Sequence, residues 1–197
     1  MSTPPSQGKL LYHITHIDNI PSILEHGLLS REELENLNNT TFKDIADQSI
    51  IEKRKEQALE NYVLFHFFSK NPFDGIVCRT HRSENMAIIA IYRSLHKKQK
   101  FYIIPVHPLD KEEPEIFPYE EGFEKVKWEI LDNVKERDYH VREIKNACMA
   151  ECLSSERIDP DEIAYIYVYN EKVKRNLISK ISSEYIDKIS VNKNMFP

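Results

Sequence analysis

Short apolar runs, each closed by polar or turn-forming residues, set the rhythm of this chain. Residues 62–68 (Tyr-Val-Leu-Phe-His-Phe-Phe) are nearly all apolar or aromatic and end at Ser69-Lys70-Asn71-Pro72. Residues 86–92 (Met-Ala-Ile-Ile-Ala-Ile-Tyr) form a second such run. Continuous runs of this length, rich in β-branched and aromatic side chains, predict strands buried on both faces. Residues 101–106 and 163–169 predict two more strands, 12–15 a short opening strand and 185–191 a closing edge strand.

Helix signals fall between these runs. Residues 17–26 predict a helix with Thr15 or Asp18 as its cap, Pro21 near its first turn and Gly27 just past its end. Ser30-x-x-Glu33 is a capping box that starts a second helix. Residues 48–59, 123–131 and 171–181 read as further helices, and 144–153 fits helix or strand. Strands and helices that alternate irregularly predict a compact α+β (mixed α/β) domain. No internal repeat appears, so the chain divides into a flexible polar tail over 1–8 and a single domain over 9–197.

Composition narrows the chemistry. At 197 residues, 41% hydrophobic, the chain can bury one proper core. Only four glycines occur, scattered far apart, so neither a G-x-G-x-x-G nor a P-loop motif can be written. A nucleotide, if bound, is held by another device. Neither G-x-S-x-G nor H-E-x-x-H is present, which excludes the common hydrolase and metalloprotease signatures. The longest apolar run falls far short of the roughly 20 residues of a membrane-spanning helix. The Pro-rich opening lacks the basic and apolar regions of a secretory leader, so a cytoplasmic location is expected. Cys78, Cys148 and Cys152 lack C-x-x-C spacing and read as free buried thiols, with no metal site.

The net charge of −5 is unevenly spread. Between positions 79 and 100 stand Arg79, Arg82, Arg93, Lys97, Lys98 and Lys100 against the single acid Glu84, whereas acids outnumber bases about two to one over 110–162. Such polarity suits a cationic groove on an acidic protein, or simply a solvated face.

Against this background, residues 12–29 (Tyr-His-Ile-Thr-His-Ile-Asp-Asn-Ile-Pro-Ser-Ile-Leu-Glu-His-Gly-Leu-Leu) form a strand, a capped helix and a Gly-Leu turn. This opening resembles that of the ADP-ribosyltransferase superfamily, and within it most resembles the DarT DNA ADP-ribosyltransferases. RNA 2′-phosphotransferases of the same superfamily begin in a similar way. Three further segments match the DarT pattern in order. Ile51-Glu52-Lys53-Arg54 is similar to the region where that family places an arginine at the NAD site. Residues 61–72 resemble its aromatic strand and the Arg-Ser-Pro that follows, although this chain carries Lys70-Asn71-Pro72 and lacks the preceding Pro/Gly-rich stretch. Ala150-Glu151-Cys152-Leu153 resembles the family's Ala-Glu-hydrophobic-Leu signature.

The resemblance implies an ADP-ribosyltransferase-like fold with a central split β-sheet flanked by helices. It implies a toxin that transfers ADP-ribose from NAD to a base, thymidine or guanosine, in single-stranded DNA, accompanied by a DarG-like macrodomain antitoxin. Glu151 is then catalytic, since a fixed carboxylate beside the ribose stabilises positive charge developing there and can take a proton from the incoming base nitrogen. Arg54, or its neighbours Lys53 or Lys55, supplies the cation at NAD, and Arg54 stands with Glu151 in the catalytic pair. His13, Thr15, Asn19 and Tyr62 complete the NAD site, with Thr15 and Asn19 serving equally well as turn and cap formers. Tyr139, Arg142 and Lys145, in the region before the catalytic glutamate, together with Arg79 and Arg82, are expected on the nucleic acid; Arg93, Lys97 and Lys98 are candidates for its phosphates. Two readings compete with this one: a transferase of the superfamily acting on RNA or protein, and a non-catalytic module that binds nucleic acid.

Overall fold

The computed structural model describes residues 3–37 and 42–197. The strands are β1 (Leu10–His16), β2 (Val63–His66), β3 (Met86–Tyr92), β4 (Phe101–Ile104), β5 (Phe117–Pro118), β6 (Glu151–Ser154), β7 (Ile163–Val168) and β8 (Ile189–Val191). The helices are α1 (Ile20–His26), α2 (Arg31–Asn36), α3 (Gln48–Glu56), α4 (Pro72–His81), α5 (Tyr119–Lys125), α6 (Trp128–Asp132), α7 (Arg142–Ala147) and α8 (Glu171–Ile178).

One mixed sheet runs in the order β5-β4-β6-β2-β1-β3-β7-β8, antiparallel except for β7 with β8. Seven register pairs join β1 to β3, but only Tyr12 with His66 joins β1 to β2. The sheet is therefore two halves that meet at a single point, as expected of a central split sheet. In the opening, the His13 ring donates from Nδ1 to the Leu64 carbonyl at 2.8 Å, a side chain replacing a ladder bond.

β3 is the spine of the fold because its residues from Met86 to Ile91 are almost wholly buried. Ala87, Ile89 and Ile91 face the main core under α1 and α5–α8, whereas Met86 and Ile88 face a smaller cluster with Ile14, Val77 and Phe196. Burial on both faces is what its unbroken apolar run predicts. Gly27 ends α1 at φ +90°, and the next residue pairs with Ile158 in a two-way backbone bridge of 2.9 and 3.0 Å.

Several elements depart from their expected form. The segment 17–26 opens with a 3-10 turn over Ile17–Asn19, capped by His16, whose Nδ1 accepts from the Asp18 amide; Thr15 and Asp18 are not its cap. α3 ends at Glu56 instead of Leu59. Residues 123–131 belong to two helices, because the chain turns extended at Val126 to bury that side chain. The ambiguous 144–153 stretch is helix first and strand second: pairing with β2 and β4 on both sides draws residues 151–154 out of a helix. α8 stops at Ile178, and the closing strand shrinks to Ile189–Val191 after a 3-10 turn over Ser183–Lys188.

The N-terminal segment also differs from a flexible tail. Residues 1 and 2 lie outside the described residues, but Pro5–Gln7 form a docked 3-10 turn. The Ser6 amide and hydroxyl donate to Asp132 at 2.9 and 2.5 Å. Arg93, 7% exposed, donates to the carbonyls of Pro5, Ser6, Leu10 and Phe67. Its guanidinium also lies over Phe67 and Trp128. A charge so enclosed is spent on the backbone and is not available to phosphates, which corrects the expectation for Arg93.

Candidate active site

The gap between β1 and β2 opens into a cavity of about 480 Å³, a size suited to small-molecule ligands. His13, Thr15, Asn19, Arg54, Tyr62 and Glu151, all singled out in the sequence, line it, as does Lys145. They come from β1, the turn after it, α3, the entry to β2, the start of β6 and α7, elements far apart along the chain.

Glu151 opens β6 and is 3% exposed. Its two oxygens accept from Arg54 Nη1 at 2.9 and 3.0 Å, while Arg54 Nη2 is buried with no hydrogen-bond partner among the described residues. A buried, unsatisfied guanidinium nitrogen is costly unless a ligand completes it. Of the three neighbouring cations, Lys53 donates to the Leu109 carbonyl at 2.7 Å and Lys55 points to solvent; only Arg54 meets Glu151.

His13 gives its Nδ1 proton to Leu64, which leaves Nε2 as a bare acceptor. Burial pushes its pKa down to about 4, against the opposing pull of the Leu64 carbonyl, so the ring is neutral at ordinary pH. Such a ring accepts a hydroxyl proton well and repels no cation. Thr15 and Asn19 are buried and bonded to each other at 3.0 Å. Tyr62 stands at the rim, edge-on to Tyr102.

The residues expected on nucleic acid do not gather here, Lys145 apart. Tyr139 donates to the Lys70 carbonyl at 3.2 Å, which ties the segment before α7 to the loop after β2. Arg142 is 81% exposed and paired with Asp110. Arg79 and Arg82 lie exposed at the far end of α4 and beyond it, outside the cavity lining.

Three titratable groups near Glu151 were not singled out in the sequence for this site. His66, read there as a core histidine, is 2% exposed and donates from Nδ1 to the Ala150 carbonyl, yet it stands in register with Glu151 and lines the cavity. His107 accepts at Nδ1 from the Leu109 amide at 3.0 Å; burial lowers its pKa, while Glu151 and Asp110 pull the other way. Asp74 is buried behind His66 and pushed up to about 6 by that burial. Strand pairing brings the two histidines to Glu151: His66 is in register with it, and Ile104 at the end of β4 faces it with His107 three residues later, whereas Asp74 comes from α4. One histidine among eight carries no mark of this in the sequence.

A family model described as ssDNA thymidine ADP-ribosyltransferase, DarT, matches residues 12–197. The chain belongs to the DarT family. It is 32% identical over 185 residues to a DNA ADP-ribosyl transferase–DNA ADP-ribosyl glycohydrolase fusion protein of Thermosipho africanus (strain H17ap60334), covering 89% of this chain and 46% of that protein. The chain thus spans about half the length of the curated relative it matches. The structure of Thermosipho africanus DarTG in complex with ADP-ribose superposes with a TM-score of 0.81 at 28% identity, over 96% of this chain and 51% of that one. Two Thermus sp. 2.9 DarT structures cover nearly all of both chains. The one with ADP-ribosylated single-stranded DNA gives a TM-score of 0.78 at 20% identity, over 96% of each chain. The one with NAD+ gives 0.76 at 18%, over 97% of this chain and 98% of that one. At these identities the two Thermus structures establish the DarT fold for this chain.

No helix among the described residues is long and apolar enough to cross a membrane, and no cluster of three or more metal-ligating side chains occurs among them.

Proposed function

We propose that this chain transfers ADP-ribose from NAD to thymidine in single-stranded DNA, with Glu151 as the catalytic carboxylate. The observation that carries the reading is the buried Arg54–Glu151 pair, which lines a cavity shared with His13 and has one guanidinium nitrogen unsatisfied among the described residues. The matched family model is described as a thymidine transferase, and relatives have been solved with NAD+ and with ADP-ribosylated single-stranded DNA.

In this reading the nicotinamide–ribose bond breaks and nicotinamide leaves with the bonding electrons, so positive charge develops on the ribose. The Glu151 carboxylate stabilises that charge, and each hydrogen bond it makes as an ion is worth about 1.5–3 kcal/mol. The thymine ring nitrogen that still carries a proton forms the new bond and releases that proton to Glu151. General-base help of this kind contributes about 10²–10⁴ in rate. His13 Nε2 accepts from a ribose hydroxyl, Arg54 Nη2 donates to an oxygen of NAD, Tyr62 lies against the nicotinamide, and Thr15 stands beside it. The base reacts outside a duplex stack, which favours a single strand. Lys145 at the cavity, with Tyr139, Arg142, Arg79 and Arg82 outside it, follows that strand.

A glycohydrolase fused to the transferase in the Thermosipho africanus relative supports a macrodomain antitoxin as partner, and with it a toxin acting in the cytoplasm, where NAD and DNA meet. The test is intact-mass analysis of short single-stranded oligonucleotides after incubation with protein and NAD. One ADP-ribosyl group is expected on strands containing thymidine only, and none with Glu151→Gln. NAD turnover without a mass gain would redirect the reading to RNA or protein acceptors. Strand binding without NAD consumption would leave a non-catalytic module.

A further inference from the structure

Asn19 closes the 3-10 turn between β1 and α1 and is 8% exposed. Its carboxamide is committed within the protein. Nδ2 donates to Thr15 Oγ1 at 3.0 Å and to the Lys43 carbonyl at 2.9 Å, and Oδ1 accepts from the Lys43 amide at 2.8 Å. One side chain thus satisfies both backbone groups of a residue 24 positions away, as a neighbouring strand would. Both of its donors are used, so nothing remains to donate to a ligand.

The segment it holds matters for the cavity. Phe42, Lys43, Asp44, Ile45 and Ala46 form neither helix nor strand, yet all five line the cavity wall. The same segment leads two residues later into α3, which carries Arg54. Besides Asn19, it is tied by Arg31, whose two terminal nitrogens meet the two Asp44 oxygens at 2.7 and 2.9 Å and whose guanidinium lies over Phe42, and by an exposed Lys43–Asp18 pair that adds little. The Asn19 carboxamide is the buried anchor, and it takes both backbone groups of Lys43.

We infer that Asn19 is a positioning residue: it holds the strap 42–46 as one wall of the cavity, and so sets the affinity for the dinucleotide without touching it. The dinucleotide part of this inference rests on the function proposed above, whereas the clamp itself does not.

Two readouts separate these. In ligand-free protein, amide hydrogen exchange at Lys43 should be slow in wild type and at least tenfold faster in Asn19→Ala. Asn19→Asp keeps an oxygen for the Lys43 amide but loses both donors to Thr15 and the Lys43 carbonyl, so it should speed Lys43 exchange less than Asn19→Ala while keeping the wild-type melting temperature within a few degrees. In steady-state transfer, both variants should raise KM for NAD about tenfold or more with kcat changed less than threefold.

Unchanged Lys43 exchange in Asn19→Ala would overturn the clamp, and a raised KM beside it would make Asn19 a direct ligand contact. Faster exchange with KM for NAD unchanged would keep the clamp and overturn its hold on affinity. Were the wild type itself to leave NAD untouched, the function proposed above would fail, and Lys43 exchange would still decide the clamp.

Discussion

Arg54 gives one guanidinium nitrogen to both oxygens of Glu151, at 2.9 and 3.0 Å, and keeps the other nitrogen buried without a partner among the described residues. The two residues are 97 positions apart, and each is ordered by an element of its own, α3 and β6. The pair fixes the orientation of the carboxylate at the cavity wall.

Arg54→Lys retains the charge but not the fork, so it can face Glu151 or a ligand oxygen but not both. Transfer should fall roughly 10–100-fold, the value of one charge-assisted hydrogen bond, with the fold intact by circular dichroism. Activity within twofold of wild type would mean that the second nitrogen has no ligand.

His13 gives a pH signature. Its pKa falls from 6.5 in the unfolded chain to about 4, because burial disfavours the charged ring. The unfolded state then binds more protons, so this contribution to stability is complete above pH 6.5 and is lost as pH falls toward 4. Denaturant midpoints of wild type and His13→Asn should differ most at neutral pH and converge toward pH 4. NAD affinity should stay flat down to about pH 5 if His13 accepts a ribose hydroxyl.

Asp74 acts in the opposite sense. Burial raises its pKa from 3.8 to about 6, so the native state holds the proton more tightly. Its contribution is present below pH 3.8 and lost as pH rises through 6. Asp74→Asn, which keeps an oxygen for the Lys70 amide at 2.8 Å, should therefore be more stable than wild type at pH 7.5. The gain should be on the order of 1–3 kcal/mol and vanish below about pH 4. Equal unfolding midpoints at pH 7.5 would contradict this.

Gly27 stands at φ +90°, and a Cβ there would lie 2.9 Å from the Ile158 carbonyl oxygen. Gly27→Ala combines a strained backbone with a clash against the strand-like bridge that follows, and should cost about 1–3 kcal/mol. Thermal unfolding should show a drop of several degrees.

Arg93 separates structure from nucleic-acid binding. Arg93→Met strips donors from the carbonyls of Pro5, Ser6, Leu10 and Phe67 and should destabilise the fold by about 3 kcal/mol or more. The salt dependence of single-strand binding should not change. Arg82→Ala, at an exposed position, should leave stability alone and lower the log–log salt slope by about 0.7, one phosphate on a single strand.

Much of the fold was legible in local patterns. The unbroken run 86–92 is β3 to the residue, the Ser30–Glu33 box caps α2 as expected, and Gly27 takes the positive φ that its place after a helix predicts. Each of these is governed by neighbours a few residues away. Boundaries strayed where partners elsewhere decided the matter, as when β2 and β4 together drew Glu151 onto a strand from a stretch that reads equally as helix.

The site divides in the same way. His13, Arg54 and Glu151 carried a motif, so resemblance alone named them. That they line one cavity is a tertiary fact, because it needs a sheet opened between β1 and β2 and α3 brought against β6. The places of His107 and Asp74, and the bonds of Asn19 to Lys43, had no local mark. A histidine gains its place beside Glu151 only through pairing of β4 with β6, and an asparagine spacing suited to a turn becomes a clamp only when residue 43 folds back upon it. The basic stretch 79–100 shows the limit most plainly. Sequence counts its charges, but burial alone decides that Arg93 binds backbone carbonyls while Arg79 and Arg82 keep their charge in water. Residue types and short spacings determined which elements form and which side chains can do chemistry; the packing of distant segments, which sets desolvation and distance, decided which of them meet.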